Sequence, residues 1–256
     1  VTLPFLLAAN LILLTRLVCL FKDEPVSPRA WIWKTAVELG ALCAFFHLTP
    51  ASGGALLLVI VMNLAGARTE RHARRRHLLR LLLGLVELAG LSLLLTPATG
   101  VQLRAVWLGL DQHLANLTAL APLFKGAASP GAQWFLFGLL LSANEANLII
   151  RTVFDRLDLK PRARPEGRGL IEAKGSVDLG EFNRGRVIGL LERALLYAFI
   201  LQGQYGAIGF VMTAKAFARF KALDDRSFAE YVLIGTLLSG GLALLFGLIV
   251  LHASGA

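Results

Sequence analysis

Apolar residues run along this chain in long blocks, not in alternation. The blocks lie at about 1–20, 30–48, 51–67, 79–96, 131–152, 187–202, 206–221 and 228–251. Each approaches the ~20 residues that carry an α-helix across the hydrocarbon of a bilayer. The period-two pattern of an outer-membrane barrel is not found. Helix breakers separate the blocks: Pro25 and Pro28, then Thr49, Pro50 and Gly53, then Pro97 and Gly100, and later Gln202-Gly203-Gln204. The pattern predicts one all-α domain spanning 1–256, a polytopic helical membrane protein of about eight transmembrane helices. The first block has no basic leader or small-residue cleavage site, so it reads as a retained helix, not a signal peptide.

The stretch 101–124, VQLRAVWLGLDQHLANLTALAPLF, fits less simply. It is long enough to cross, yet it carries Arg104, Asp111, Gln112, His113 and Asn116. Its reading depends on the basic residues around it. One basic cluster occupies 67–80, with Arg68, Arg71, Arg74, Arg75, Arg76 and Arg80; a long loop at 153–186 holds another, from Arg156 through Lys160 and Arg168 to Arg186. Lys/Arg-rich loops stay in the cytoplasm. Both loops can do so only if an even number of crossings separates them, and the helices at 79–96 and 131–152 supply two. The stretch 101–124 is then an interfacial or re-entrant segment on the outer side. The rival reading is a ninth span, which leaves one basic loop outside.

Composition agrees with the pattern. Hydrophobic residues make up 56% and charged residues 17% of the 256, and the mean hydropathy is +0.65. A soluble domain carries about 25% charged residues. The formal net charge of +9 is concentrated in the two basic loops, so it speaks for membrane orientation, and no nucleic acid is expected as a partner. Cys19 and Cys43 both fall in apolar blocks and support neither a disulfide framework nor a thiolate metal site. No phosphate-binding Gly-rich loop, His-Glu-x-x-His or nucleophile elbow occurs, no metal site is expected, and no motif specifies a cofactor.

The candidate chemistry lies in charges within the apolar blocks. Glu38, Glu87, Glu145, Glu192 and Lys215 each fall about six to eight residues from the predicted cytoplasmic helix end, roughly 10 Å of rise. Five helices would then contribute to one polar layer. Such residues face the bundle interior or a wet cavity. They serve either as a substrate or ion pathway or as pairs that lock helices together. Asn144 and Asn147 share a helical face with Arg151, next to Glu145. Glu192 and Lys215 lie at matched distances from the Gln202-Gly203-Gln204 turn, so an antiparallel hairpin brings them together, with Arg193 as the substitute partner. Arg16 is near enough to a helix end to snorkel to the surface. Gly235, Gly240, Gly241 and Gly247 would let the last helix pack closely. Short look-alikes around Glu38, Glu87 and Glu192 suggest an internal repeat no more than chance would in a chain rich in Leu, Ala and Gly.

Residues 180–240 carry three distinctive pieces: GRVIGLLER (Gly185–Arg193), Ala214-Lys215 with Arg219-Phe220, and EYVLIGTLLS (Glu230–Ser239). In these the chain resembles the C-terminal part of an uncharacterised family of bacterial membrane proteins, domain of unknown function 3307. The resemblance covers about a quarter of the chain. It implies a multi-pass protein of the bacterial inner membrane and brings no activity with it.

Three functions fit these features. A small transporter or channel would use the polar layer. A scaffold or accessory subunit would bind partners in a membrane complex through its Gly-rich last helix and long basic loop. An enzyme of lipid or lipid-linked phosphate substrates would use Glu192 or Glu145 as general acid and Arg151, Arg193 and Arg219 to hold phosphate. Membrane lipids are expected partners in every case, with Arg75, Arg76, Arg151 and Arg219 as candidate lipid or phosphate contacts.

Overall fold

A computed structural model describes residues 2–20, 24–71, 75–105, 129–157, 179–218 and 226–254. The architecture is helical: α1 (Leu3–Arg16, extended by a 3-10 turn at Leu17–Cys19), α2 (Pro28–Phe45), α3 (Pro50–Thr69), α4 (Arg76–Leu94), α5 (Pro130–Leu140), a π-helical segment (Leu141–Glu145), α6 (Ala146–Arg156), α7 (Leu179–Leu201), α8 (Tyr205–Ala218) and α9 (Arg226–Ser254). Segments α5, π and α6 form one continuous rod. Among the described residues, four helices are long and apolar enough to cross a membrane: Pro50–Thr69, Arg76–Leu94, Pro130–Arg156 and Ala229–Ser254; the apolar Leu3–Cys19 is shorter. This is the pattern of a membrane-embedded helical protein.

Local sequence fixes the helix starts. Thr2, Ser27, Thr49 and Ser129 are N-caps, each accepting a hydrogen bond from a backbone N–H two or three residues into its helix. A proline stands at the first or second helical position in all four, where its missing N–H is not needed. At Thr49 the side chains of Thr49 and Ser52 complete a capping box. Each such cap contributes about 1 kcal/mol. Gly203, at φ 66°, turns the chain between α7 and α8.

The helices alternate in direction. One end of the bundle gathers the end of α1, the start of α2, the end of α3, the start of α4 and the end of α6. There Glu70, just past α3, binds the Val26 backbone ahead of α2 and Arg80 on α4. At the other end Thr2 bonds the Leu95 carbonyl, and the strip after Gly100 pairs with the α2–α3 connection. Helix α1 is the central element. It packs on α2, α4, α5 and the π segment, while α7 and α9 pack together against α5 and α6. Leu6, Ala9, Ile12 and Leu13 on α1 are almost fully buried.

Polarity runs inside out. Leu57, Leu64, Leu82, Leu85, Leu93, Phe210, Leu233 and Leu237 are exposed, whereas Arg16, Lys34, Glu38, Asn63, Arg80, Glu87 and Glu145 are buried. Water as solvent would favour the reverse; a hydrocarbon surround favours this one.

Several boundaries depart from the sequence reading. Helix α2 stops at Phe45, three residues early, because the following backbone is extended: Arg104 N–H donates to the Phe45 carbonyl at 2.7 Å and His47 N–H to that of Gln102 at 3.1 Å. That strip is the described part of 101–124; 106–124 lie outside the described residues. The basic stretch 67–80 is mostly helix, since α3 runs to Thr69 and α4 begins at Arg76. The long loop 153–186 likewise shortens, with α6 reaching Arg156 and α7 starting at Leu179; 158–178 lie outside the described residues. On α9 a Cβ at Gly247 would lie 2.6 Å from Ile200 and one at Gly235 3.0 Å from Phe154, but Gly241 has nothing within 4 Å and is not a packing position.

Candidate functional site

Lys34 and Glu38 stand one turn apart on α2, so their side chains meet across the helix face at 2.7 Å. Their remaining bonds reach other helices. Lys34 Nζ donates to Asn63 Oδ1 on α3 at 2.6 Å, and Asn63 Nδ2 donates to Glu38 Oε2 at 2.6 Å. Thr15 on α1 donates its hydroxyl to Glu38 Oε1. Glu38 is 0% exposed, with both oxygens satisfied by groups from three helices. The Trp31 ring lies 5.5 Å from Lys34 Nζ and covers its cationic head. That ring also lies against Gly66, where a Cβ would come within 2.5 Å of it.

A second cluster centres on Arg16. Its Nε donates to Glu145 Oε1 at 2.8 Å and its Nη2 to Glu145 Oε2 at 3.2 Å, a bidentate pair. Nη2 also donates to the Arg80 carbonyl at 2.9 Å. The guanidinium lies directly on α4 at Gly84, where a Cβ would be 2.4 Å from Nη2. Only glycine permits that approach. Arg16 therefore does not snorkel outward. Glu145 inside the bundle offers it two charged acceptors, which a helix end cannot match.

The π segment explains how Glu145 arrives there. Its wider turn, closed by the Ala146 N–H to the Leu141 carbonyl, turns both Asn144 and Glu145 inward. Such turns concentrate at functional sites because they free backbone carbonyls. Here Arg193 on α7 takes them up, with Nε 2.8 Å from the Ser142 carbonyl and Nη2 3.3 Å from that of Ala143. Asn144 Nδ2 donates to Glu145 Oε1 at 3.0 Å, and Asn147 Nδ2 to the Leu20 carbonyl at 3.3 Å. Asn147 thus ties the rod to the end of the first helical stretch, whereas the Asn144 bond stays within the π segment and supports the Glu145 carboxylate.

Glu87 differs from the other carboxylates. It lies one turn beyond Gly84 on α4, on the face that Arg16 touches. It is 2% exposed, and its Oε1 has no hydrogen-bond partner. Lys34 and Glu38 of one cluster and Arg16 and Glu145 of the other are near enough for their charges to act on it, and the Arg16 guanidinium lies one turn away at Gly84. Among the described residues, Glu38 and Glu145 have ion-pair partners and Glu87 has none.

The remaining candidates lie apart from this centre. Glu192 bonds Lys215 across the α7–α8 hairpin, as the turn spacing predicts. Both side chains are 16% exposed, more open than the central pairs. Adjacent Arg193 points the other way, to the π segment. So the expected single layer is two zones: Glu38, Glu87 and Glu145 surround α1, and the Glu192–Lys215 pair sits on the far side of α7. Arg76 bonds the Glu70 carbonyl at 3.3 Å, Arg75 is exposed, Arg151 is half-buried on α6, and Arg219 lies outside the described residues.

Lys34 and Glu70 were not singled out from sequence. The i,i+4 spacing of Lys34 and Glu38 inside an apolar block was the available signal. Glu70 with Arg80, joined through two bonds of 2.8 Å, had none, because it closes across the α3–α4 turn. Among the described residues, no group of three or more His, Cys, Asp or Glu side chains is placed to hold a metal ion. No protein-family model, curated protein or solved structure matches the chain.

Proposed function

We propose that this protein is a small polytopic transporter or channel of a bacterial inner membrane, and that Glu87 is the group that binds a small cation, the proton included, within a closed bundle. The observation that carries this reading is a fully buried carboxylate with an oxygen that has no partner among the described residues, close to two internally paired charge clusters. A charge kept at depth without a partner costs several kcal/mol, and intramembrane ionisable groups of this kind mark pathways. The paired clusters do different work. Arg16–Glu145 and Lys34–Glu38–Asn63 tie α1, α2, α3 and the π rod together and close the layer around Glu87.

The topology in this proposal has eight crossings, with α5, π and α6 counted as one. Helix α2 crosses despite Lys34 and Glu38 because each neutralises the other inside the bundle. The end that carries Arg75 and Arg156 is the cytoplasmic one, by the positive-inside rule. The cleft shared by Arg75 and Leu78 at the start of α4 and Thr152, Asp155 and Arg156 at the end of α6 supports two crossings between the basic connections.

The test is flux into liposomes containing the purified protein. A trapped pH-sensitive dye reports protons, and tracer uptake reports sodium and potassium, under an imposed membrane potential. Flux of one of these ions above that of empty liposomes, lost in Glu87→Gln, is the expected result. Equal flux in wild type and Glu87→Gln, or none for any of the three ions, overturns the assignment.

A further inference from the structure

At the basic end of the bundle, the start of α4 and the end of α6 enclose a cleft of about 450 Å³ lined by Arg75, Leu78, Thr152, Asp155 and Arg156. Arg75 and Arg156 are exposed, so both guanidinium groups are open to a ligand. The Thr152 hydroxyl donates its one proton to the Leu148 carbonyl at 2.7 Å, so the two guanidinium groups are the donors of the cleft. Asp155 is the one acidic wall. Neighbouring Arg76 bonds Glu70 instead. Two arginines on facing helices, neither of them ion-paired among the described residues, suit an oxyanion that can accept from both, which is the chemistry of a phosphate.

The apolar wall identifies the source of that phosphate. Leu78 begins an outward stripe on α4 that continues one and two turns along through Leu82, Leu85 and Val86, all exposed. The cleft therefore opens onto a hydrophobic track instead of a polar approach. A soluble phosphate compound has no use for that track, whereas an acyl chain fits it. We propose that this cleft is a binding site for the phosphate headgroup of an anionic membrane lipid, with Arg75 and Arg156 on the phosphate and the acyl chain along Leu78, Leu82 and Val86. The site sits at the membrane surface and is independent of Glu87. Its occupant bridges α4 and α6, the two rods that flank the Arg16–Glu145 pair.

The experiment is a thermal-shift titration of the full chain in neutral detergent, comparing phosphatidylglycerol, phosphatidylcholine and inorganic phosphate. A basic residue at a membrane surface contributes about 1 kcal/mol to anionic-lipid binding, or roughly fivefold in affinity. Phosphatidylglycerol should raise the midpoint of the wild type, and phosphatidylcholine should raise it much less. Arg75→Gln with Arg156→Gln should weaken the phosphatidylglycerol response roughly 30-fold. Asp155→Asn, which removes the acidic wall, should strengthen it. An equal response to both lipids, a double variant that titrates like wild type, or a weaker response in Asp155→Asn overturns the site. Full reproduction of the shift by inorganic phosphate overturns the lipid as its occupant.

Discussion

Removing Glu145 alone should destabilise the bundle far more than removing Glu145 and Arg16 together. The pair is almost dry, with side-chain exposures of 8% for Arg16 and 3% for Glu145. In Glu145→Leu the guanidinium loses both carboxylate bonds and keeps only the Arg80 carbonyl at 2.9 Å. Breaking a buried pair from one side costs about 3–5 kcal/mol. In Arg16→Leu the stranded carboxylate keeps only Asn144 Nδ2 at 3.0 Å, so a similar loss follows. Replacing both by leucine removes both charges, and such replacements are often neutral or mildly stabilising. The two single losses would sum to roughly 6–10 kcal/mol, most of the stability of an ordinary domain, and the double variant should fall several kcal/mol short of that sum. The assay is a double-mutant cycle by denaturant unfolding in mixed micelles, with folded yield as a second readout. Additive losses within about 0.5 kcal/mol would refute the pairing, because additivity is the behaviour of residues that do not meet.

Three further outcomes follow from the same geometry. Gly138→Ala would place a methyl group 2.3 Å from the Tyr197 hydroxyl and 2.6 Å from Val250, so it should cost about 1–3 kcal/mol by overpacking, while Gly241→Ala, with open space around it, should leave the thermal midpoint nearly unchanged. Glu192→Leu should lower the midpoint more than Glu192→Leu with Lys215→Leu, and by less than Glu145→Leu because this pair is more exposed; equal effects of the Glu192 single and double variants would separate the two residues. Arg193→Met should leave the Ser142 and Ala143 carbonyls without their donor and cost about 1–3 kcal/mol for each buried acceptor left unsatisfied, an effect that hydrogen exchange should localise to Leu141–Ala146.

The helices were legible because their signal is local. Apolar blocks of bilayer length and prolines behind Ser or Thr are written in consecutive residues, and the structure moves most boundaries by only a few positions. The Glu192–Lys215 pair was legible for the same reason, since a tight turn converts sequence spacing into depth. The centre was not. Arg16 and Glu145 are 129 positions apart, and their meeting depends on α1 packing against the π rod. Counting depth along straight helices put Glu192 in the layer of Glu38 and Glu87, but depth says nothing about azimuth, and α7 turns Glu192 toward α8. The π turn adds its own error, because one extra residue rotates everything beyond it and no composition signals it. Gly84 shows the limit most simply: in sequence it is one glycine among 25, and only the guanidinium lying on it shows why it matters.

Glu87 is the point on which the account turns, and its reactivity tests the account most directly. The protein in liposomes would be treated with a lipid-soluble carbodiimide and the modified carboxyl groups located by mass spectrometry of its peptides. The account predicts modification at Glu87, slowed by whichever ion the protein carries, while the paired Glu38 and Glu145 react little. Modification of Glu38 or Glu145 at the rate of Glu87, or a Glu87 that stays unmodified while either of them reacts, would contradict it.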